Sequence, residues 1–201
     1  MLGILIIVSS AAVAYNGRVG HPERAVFEAV NRLPDGLAWP MWVFQLMGLI
    51  GLPVALALIA LALRRFRLAT ACIAAAALKL YLVQPVIKGL VDRERPGRTE
   101  LDPILRGVPP GGESFPSGHA VVAFTLATLL TPYLPRRWVA VVWALAVLNA
   151  VARVYLGAHN PLDVVAGAGG GLLLGGLLTF VVGVPPTRVH TRVEGPASHM
   201  P

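Results

Sequence analysis

Charged residues are scarce in this sequence, making up only 13% of 201 residues. Soluble domains carry about 25%, so a soluble globular protein is disfavoured. The mean hydropathy of +0.69 favours an integral membrane protein. The length suits one membrane domain and leaves little for an additional soluble module.

Cysteine is nearly absent as well, because Cys72 is the only one. No disulfide can form within the chain, and the redox compartment stays undetermined. The net charge of +7 comes from cations scattered over short loops without interleaved aromatic residues, which argues against a nucleic-acid partner. Lipid phosphate is the anion that we expect such a chain to meet.

The sequence is rich in long apolar runs. Five approach the roughly 20 residues that a bilayer-spanning helix needs. They are Leu37–Leu63, Leu68–Val91, Ser117–Leu134, Trp138–Leu156 and Leu162–Val184. A shorter run, Leu2–Tyr15, is either a first span or a signal peptide, but no basic residue precedes it, which favours the span. We therefore expect an all-α fold, a polytopic bundle of six transmembrane helices.

The segment His21–Pro34 has a different pattern. Val26, Phe27 and Val30 share one face and charges lie on the other, which predicts a short amphipathic helix at the membrane interface. Residues 1–184 are expected to form the membrane-embedded domain, and 185–201 a polar, disordered tail. The abrupt apolar start leaves open whether the chain is part of a longer protein.

Three polar stretches lie at the ends of apolar runs. They read KGLVDRERP (Lys88–Pro96), PSGH (Pro116–His119) and RVYLGAHNPLD (Arg153–Asp163). Charge held at a membrane boundary is costly, so these residues are functional candidates. A six-span count puts all three stretches on one side of the membrane, opposite the basic turns 64–67 and 135–137.

In the third stretch, Asn160 and Pro161 form a strong helix start. His159 then lies just before the helix and Asp163 at its third position. A carboxylate that accepts one imidazole N–H leaves the other ring nitrogen basic and able to attack. The alternative is that Asp163 only caps backbone amides.

The second stretch is also a helix start. Ser117 can cap it, and Gly118 lets the backbone approach a ligand at the positive end of the helix dipole. His119, in the first turn, can hold or donate a proton over a bound anion. The alternative is a capped helix with an idle histidine.

The first stretch supplies Lys88 and Arg95, seven residues apart and nearly on one helical face. Arginine suits bidentate phosphate contact and lysine acts as a point charge. A snorkelling Lys88 and a surface Arg95 are the alternative. Lys79, deeper in the same run, has no assigned role. Four neighbouring charges are interpreted as solvated loop residues or local partners: Asp92, Arg93, Glu94 and Arg98.

The patterns K-x6-R-P, P-S-G-H and R-x5-H-x3-D, in this order, resemble the type 2 phosphatidic acid phosphatase superfamily, in its membrane-embedded lipid phosphate phosphatase branch. The resemblance implies that Lys88, Arg95 and Arg153 bind phosphoryl oxygens, helped by Ser117 and the Gly118 amide. It implies that His159 is the nucleophile forming a phosphohistidine, with Asp163 orienting it. His119 would be the acid that protonates the leaving oxygen. Ala152 replaces the family's usual serine before Arg153, so one hydroxyl donor is missing.

The expected function is removal of the terminal phosphate from a lipid phosphate or diphosphate. No metal or other cofactor is implied, because the motifs assemble neither three histidine ligands nor a carboxylate cluster. The alternative is a non-catalytic lipid-phosphate binder or transporter, which would need no nucleophile and orienting partner. A vanadate-dependent oxidase of the related soluble branch is disfavoured by the spans. The sequence does not identify the lipid among phosphatidic acid, phosphatidylglycerol phosphate, sphingoid phosphates and polyprenyl phosphates or diphosphates.

Two further expectations concern assembly and orientation. Gly167, Gly171 and Gly175 allow a close helix approach, either within the bundle or between two copies in a homodimer. Lys and Arg counts do not decide the orientation, but the dense basic turns favour the cytoplasm. The three stretches are then expected at the extracytoplasmic face of a multi-pass membrane protein.

Overall fold

The computed structural model describes residues 1–15, 17–82 and 91–183, and over these ranges the elements are helical. The α-helices are α1 (Leu2–Ala14), α2 (His21–Asn31), α3 (Ala38–Gln45), α4 (Gly51–Ala62), α5 (Phe66–Leu78), α6 (Pro96–Thr99), α7 (Gly118–Leu130), α8 (Arg136–Tyr155) and α9 (Pro161–Val182). One isolated bridge joins Glu94 and Glu113, and no strand forms in the described part of the chain. The predicted all-α class is therefore confirmed. Lys88 and the tail 185–201 lie outside the described residues.

Helix α9 is the centre of the bundle and packs against α1, α5, α7 and α8. Its glycines allow α7 to come close. A Cβ added to Gly167 would lie 2.6 Å from the Ser117 carbonyl oxygen, and one added to Gly171 would lie 2.6 Å from Phe124 Cβ. At Gly175 the same atom would lie 2.6 Å from Thr128 Cβ. The three glycines thus pack inside the bundle, and α7 leaves this face no room for a second copy.

The apolar core between α4, α5, α7 and α9 is built largely from small side chains. Alanine predominates on α4 and α5, and Cys72 is fully buried among these residues. Small residues let helix backbones approach closely, so van der Waals packing holds the bundle where lipid removes the hydrophobic driving force.

The two basic turns lie at one end of the bundle. The Arg65 guanidinium carbon lies 5.4 Å from the centroid of the Tyr133 ring, which joins the turn after α4 to the turn after α7. A Cβ added to Gly183, just past α9, would lie 3.3 Å from Arg67 Nη1. The starts of α7 and α9 therefore lie at the opposite end, as the topology predicts for PSGH and for HNPLD.

The number of spans is less definite than the fold class. Two described helices, α8 and α9, are long and apolar enough to cross a membrane. A third span results if the segments Asp35–Gly48 and Gly51–Ala62, bent by 61°, are counted together. Helices α1 and α7 have 13 residues each, fewer than the 17–25 that usually span a bilayer. The six-span bundle stays a prediction.

Helix α2 is present where the amphipathic pattern predicts it. Phe27 is buried in a cluster with Ala120, Val154 and Val164, so α2 packs on α7, α8 and α9. Val26 is 52% exposed and Val30 is partly buried. The apolar face is therefore divided between protein and surroundings, and its location at the membrane interface stays a prediction.

Candidate active site

The link between α8 and α9 holds His159 in a buried position. Gly157 has a φ of +76°, and a Cβ there would lie 2.7 Å from the Ile104 carbonyl oxygen, so the sharp turn depends on glycine. Asn160 is the N-cap residue of α9 and Pro161 its first residue, as predicted. His159, just before this cap, is only 2% exposed.

Asp163 caps the helix and also faces the imidazole, so the alternative that it only caps backbone amides is wrong. Its Oδ2 accepts the backbone N–H of Asn160 at 2.8 Å, which caps α9. The same oxygen lies 3.7 Å from Nδ1 of His159, too far for a direct hydrogen bond but close enough for electrostatic attraction. Capping the helix and facing the imidazole are thus simultaneous roles of one carboxylate.

Ser114 lies between these two groups. Its hydroxyl donates to Asp163 Oδ2 at 2.5 Å, and its Oγ is 3.2 Å from Nδ1 of His159. The Ser114 N–H also donates to the Arg93 carbonyl at 2.8 Å, which holds the first and second stretches side by side. Ser114 was not predicted as a site residue, because a hydroxyl in a Gly- and Ser-containing loop is an unspecific signal.

The start of α7 is tied directly to the start of α9. The Ser117 N–H donates to the Asp163 carbonyl at 2.9 Å. Ser117 is fully buried, and its hydroxyl has no hydrogen-bond partner within residues 1–15, 17–82 and 91–183. Buried hydroxyls are normally satisfied, so this one is suited to bond a ligand oxygen.

His119 lies in the first turn of α7 and packs against the turn that follows α3. A Cβ added to Gly48 would lie 2.5 Å from His119 Cβ, so only glycine lets that turn pack against the histidine. Arg95, Arg153, His159 and Lys79 are all within electrostatic reach of His119. The site therefore combines groups from the first, second and third stretches.

Lys79, which had no role from sequence, also reaches this place. Its Cε would lie 3.7 Å from a Cβ added to Gly118. The side chain thus passes beside the N-terminus of α7, where the backbone amides favour an anion.

Arg153 is buried at the last turn of α8. Its Nη1 donates to Gln45 Oε1 at the end of α3, while its Nε has no partner among the described residues. The Gln45 backbone carbonyl in turn accepts from Asn149 Nδ2 at 3.0 Å. Gln45 was missed because nothing in the apolar run around it indicates a contact more than 100 positions away.

Arg95 is half-buried at the start of the short helix α6. Burial lowers the pKa of this guanidinium, and the negative charge of Asp163 partly offsets that effect. Arginine nevertheless keeps its charge at neutral pH. A cation from the first stretch therefore faces the carboxylate of the third.

Arg93 is neither a solvated loop charge nor paired with a local partner, and the prediction for this residue is wrong. Its side chain is fully buried and bonds two distant carboxylates, Glu23 Oε2 at 2.5 Å and Asp163 Oδ1 at 3.2 Å. Glu23, in the first turn of α2, also accepts the Leu162 N–H at 2.9 Å. The neighbours Asp92, Glu94 and Arg98 are exposed, as expected.

Comparison with known proteins decides the family. The PAP2 superfamily model matches residues 65–184. The lipid A 4'-phosphatase of Bacteroides thetaiotaomicron is 32% identical over 165 residues, covering 73% of this chain and 72% of that protein. The chain belongs to the PAP2 superfamily.

Two solved structures share the fold of this PAP2 protein. LpxE of Aquifex aeolicus superposes with a TM-score of 0.70 at 27% identity, over 78% of this chain and 93% of that one. The PAP2-type phosphatidylglycerolphosphate phosphatase of Bacillus subtilis superposes with a TM-score of 0.69 at 23% identity, over 92% and 97%. Both likenesses show the shared fold, and the family membership supports a phosphatase in a membrane setting.

Ala152, where the family usually has serine, is fully buried in an apolar cluster with Met41, Tyr155 and Leu156. Its surroundings in this PAP2 protein suit a methyl group, because a hydroxyl there would meet apolar neighbours.

Arg153→Lys is the first test of this site. We expect kcat/KM for a lipid phosphate to fall about 10–100-fold. The planar guanidinium can bond Gln45 and a phosphoryl oxygen at the same time, whereas the lysine ammonium lacks this geometry. Arg136→Lys, in an exposed basic turn at the other end, is the matched control and should keep wild-type kinetics. Equal kinetics for both variants would show that Arg153 makes no bidentate contact.

Proposed function

We propose that this PAP2 protein hydrolyses the terminal phosphate of a lipid phosphate or diphosphate through a phosphohistidine on His159. The observation that carries the proposal is the convergence of His159, Asp163, His119 and two buried or half-buried arginines from three separate stretches. A binder or transporter would need the cations but not a histidine beside an orienting carboxylate.

The first step transfers the phosphoryl group to the enzyme. The Nε2 lone pair of His159 attacks phosphorus and forms a P–N bond. The P–O bond to the lipid breaks, and His119 gives its proton to the leaving oxygen. In the second step, water attacks phosphorus, His119 takes up the water proton, and the P–N bond breaks to release inorganic phosphate.

The transferring group carries negative charge that must be stabilised. We assign this role to Lys88, Arg95, Arg153, the Ser117 hydroxyl and the Gly118 amide. Support comes from the buried Ser117 hydroxyl and Arg153 Nε, neither of which has a partner in the described ranges. Donors held in place before the reaction stabilise a phosphoryl transition state without reorganising.

The proposed reaction needs no metal ion. Lys88, Arg95 and Arg153 supply the positive charge that Mg²⁺ supplies in many phosphoryl transfers. His119 donates the proton in the first step and accepts the proton of water in the second.

Replacing each histidine tests the proposed chemistry. We expect His159→Ala to abolish phosphate release from a long-chain lipid phosphate in detergent, while binding of the lipid persists. His119→Ala should lower kcat roughly 10²–10⁴-fold, the range for a positioned acid. His21→Ala, on the exposed side of α2, is the control.

The assays include EDTA, and full activity in its presence is expected. An active His159→Ala enzyme would disprove the nucleophile. Loss of wild-type activity in EDTA with recovery on adding Mg²⁺ would disprove metal independence.

The substrate class follows from where the reaction takes place. The site lies at the ends of apolar helices, so a reacting phosphate must lie at headgroup depth with its tail in lipid. The relatives named above act on different headgroups, lipid A and phosphatidylglycerolphosphate. We therefore propose modest headgroup discrimination, with a polyprenyl carrier or phosphatidylglycerol phosphate as the preferred substrate in a bacterium.

Tail recognition predicts a strong dependence on chain length. We expect kcat/KM to be at least about tenfold higher for a long-chain phosphate than for a short-chain one with the same headgroup, since each buried CH₂ contributes roughly 0.8 kcal/mol. Measurements below the critical micelle concentration of the short ester keep the comparison valid. Equal kcat/KM values for the two phosphates would show that the enzyme does not bind the lipid tail.

We also propose that the site faces the extracytoplasmic side, because the dense basic turns favour the cytoplasm. In a Cys72→Ala background, a membrane-impermeant thiol reagent should label Leu101→Cys from outside intact cells. Leu101 is 90% exposed and lies in the loop between α6 and α7. Arg136→Cys, at the opposite end, should react only after the cells are opened. The reverse pattern would overturn the orientation.

A further inference from the structure

We infer that Ser114, Arg93 and Glu23 are positioning residues that fix the reactive tautomer of His159. The inference rests on the proposed function, in which His159 attacks phosphorus. The five residues Glu23, Arg93, Asp163, Ser114 and His159 form a continuous chain of polar contacts, called here the Asp163 network. None of the three motifs includes Glu23 or Ser114.

The single proton of the Ser114 hydroxyl decides the tautomer. An ionised carboxylate only accepts hydrogen bonds, so the 2.5 Å contact to Asp163 takes the Ser114 proton. The Ser114 oxygen, 3.2 Å from Nδ1 of His159, can then act only as an acceptor. Nδ1 must therefore carry the imidazole proton, and Nε2 carries the lone pair that attacks. The direct distance of 3.7 Å from Asp163 makes Ser114 the group through which the carboxylate acts.

Arg93 and Glu23 hold the carboxylate from the other side. The Arg93 guanidinium is fully buried between Asp163 and Glu23, which are 70 residues away in either direction. A buried cation with two well-placed carboxylates is compensated, whereas removal of one partner leaves charge exposed to a low dielectric. Because Glu23 also accepts the Leu162 N–H, α2 fixes the first turn of α9 that carries Asp163.

The Asp163 network favours the reaction through its charges as well as through its geometry. Within the network one arginine lies between two carboxylates, so Glu23 adds a second negative charge behind the imidazole ring. Attack by Nε2 makes that ring positive, and a nearby negative charge stabilises it, as the aspartate of a Ser-His-Asp triad does. Neutralising Glu23 would therefore weaken turnover even with His159 in place.

Kinetics of variants in the full-length protein test the inference. We expect Ser114→Ala and Glu23→Gln each to lower kcat about 10–100-fold with KM changed less than about threefold, by analogy with the loss of a hydrogen-bond partner that orients a metal-binding histidine. Ser114→Thr, which keeps the hydroxyl, should recover most of the Ser114→Ala loss. The controls are Ser10→Ala, a buried hydroxyl on α1, and Glu28→Gln, the same charge change one turn further along α2.

The spectroscopic readout is the imidazole tautomer. In protein labelled with ¹⁵N-histidine, the His159 signal is assigned by its loss in His159→Gln. Wild type and Ser114→Thr should show Nδ1 protonated and Nε2 bare, whereas Ser114→Ala should show a mixture of tautomers. If Ser114→Thr does not fold, because its added methyl must fit a fully buried position, Glu23→Gln with its Glu28→Gln control still tests the network.

The outcomes separate this inference from the proposed function. Wild-type kcat and an unchanged tautomer in Ser114→Ala and Glu23→Gln, with His159→Ala inactive, would overturn the inference alone. A rise in KM with unchanged kcat would also overturn it, because it would assign these residues to binding. An active His159→Ala enzyme would instead overturn the proposed function.

Discussion

The buried carboxylate of Asp163 is the group on which the arrangement of the site depends. A buried carboxylate is tolerated only when donors surround it. Here one donor is local, the Asn160 amide, and two come from distant positions, the Ser114 hydroxyl and the Arg93 guanidinium. Satisfying one side chain thus draws the segment that contains Arg93 and Ser114 over the start of α9. His159, just before that helix start, is fixed by the same contacts.

Close packing of α7 on α9 brings the starts of these two helices together. Gly167 leaves space for the Ser117 carbonyl, and the Ser117 amide donates to the Asp163 carbonyl. Two helix N-termini consequently meet at one end of the bundle. Backbone amides at a helix start attract anions, so this packing also forms the anion site proposed above. Gly167 is therefore needed both for the packing and for the proposed site.

The sequence predicted those features of the site that depend on residues close together in the chain. The Asn160-Pro161 helix start, the facing of His159 and Asp163, and the convergence of Arg95, His119 and Arg153 follow from capping rules and from residues placed at helix ends. Glu23, Gln45 and Arg93 could not be recognised, because each gains its partner from an element 70 or more positions away. The spans were harder to count, since apolar composition does not reveal that α7 ends after 13 residues or that the segment 35–62 bends.

The central claim is that His159 carries the phosphoryl group between the two chemical steps. Rapid quench of the full-length enzyme with a lipid phosphate labelled on the terminal phosphate tests it most directly. The account predicts a labelled protein, stable in base and labile in acid, that appears within one turnover and is missing in His159→Ala. Turnover of the same substrate with no labelled enzyme at any quench time, or with label retained in His159→Ala, would contradict it.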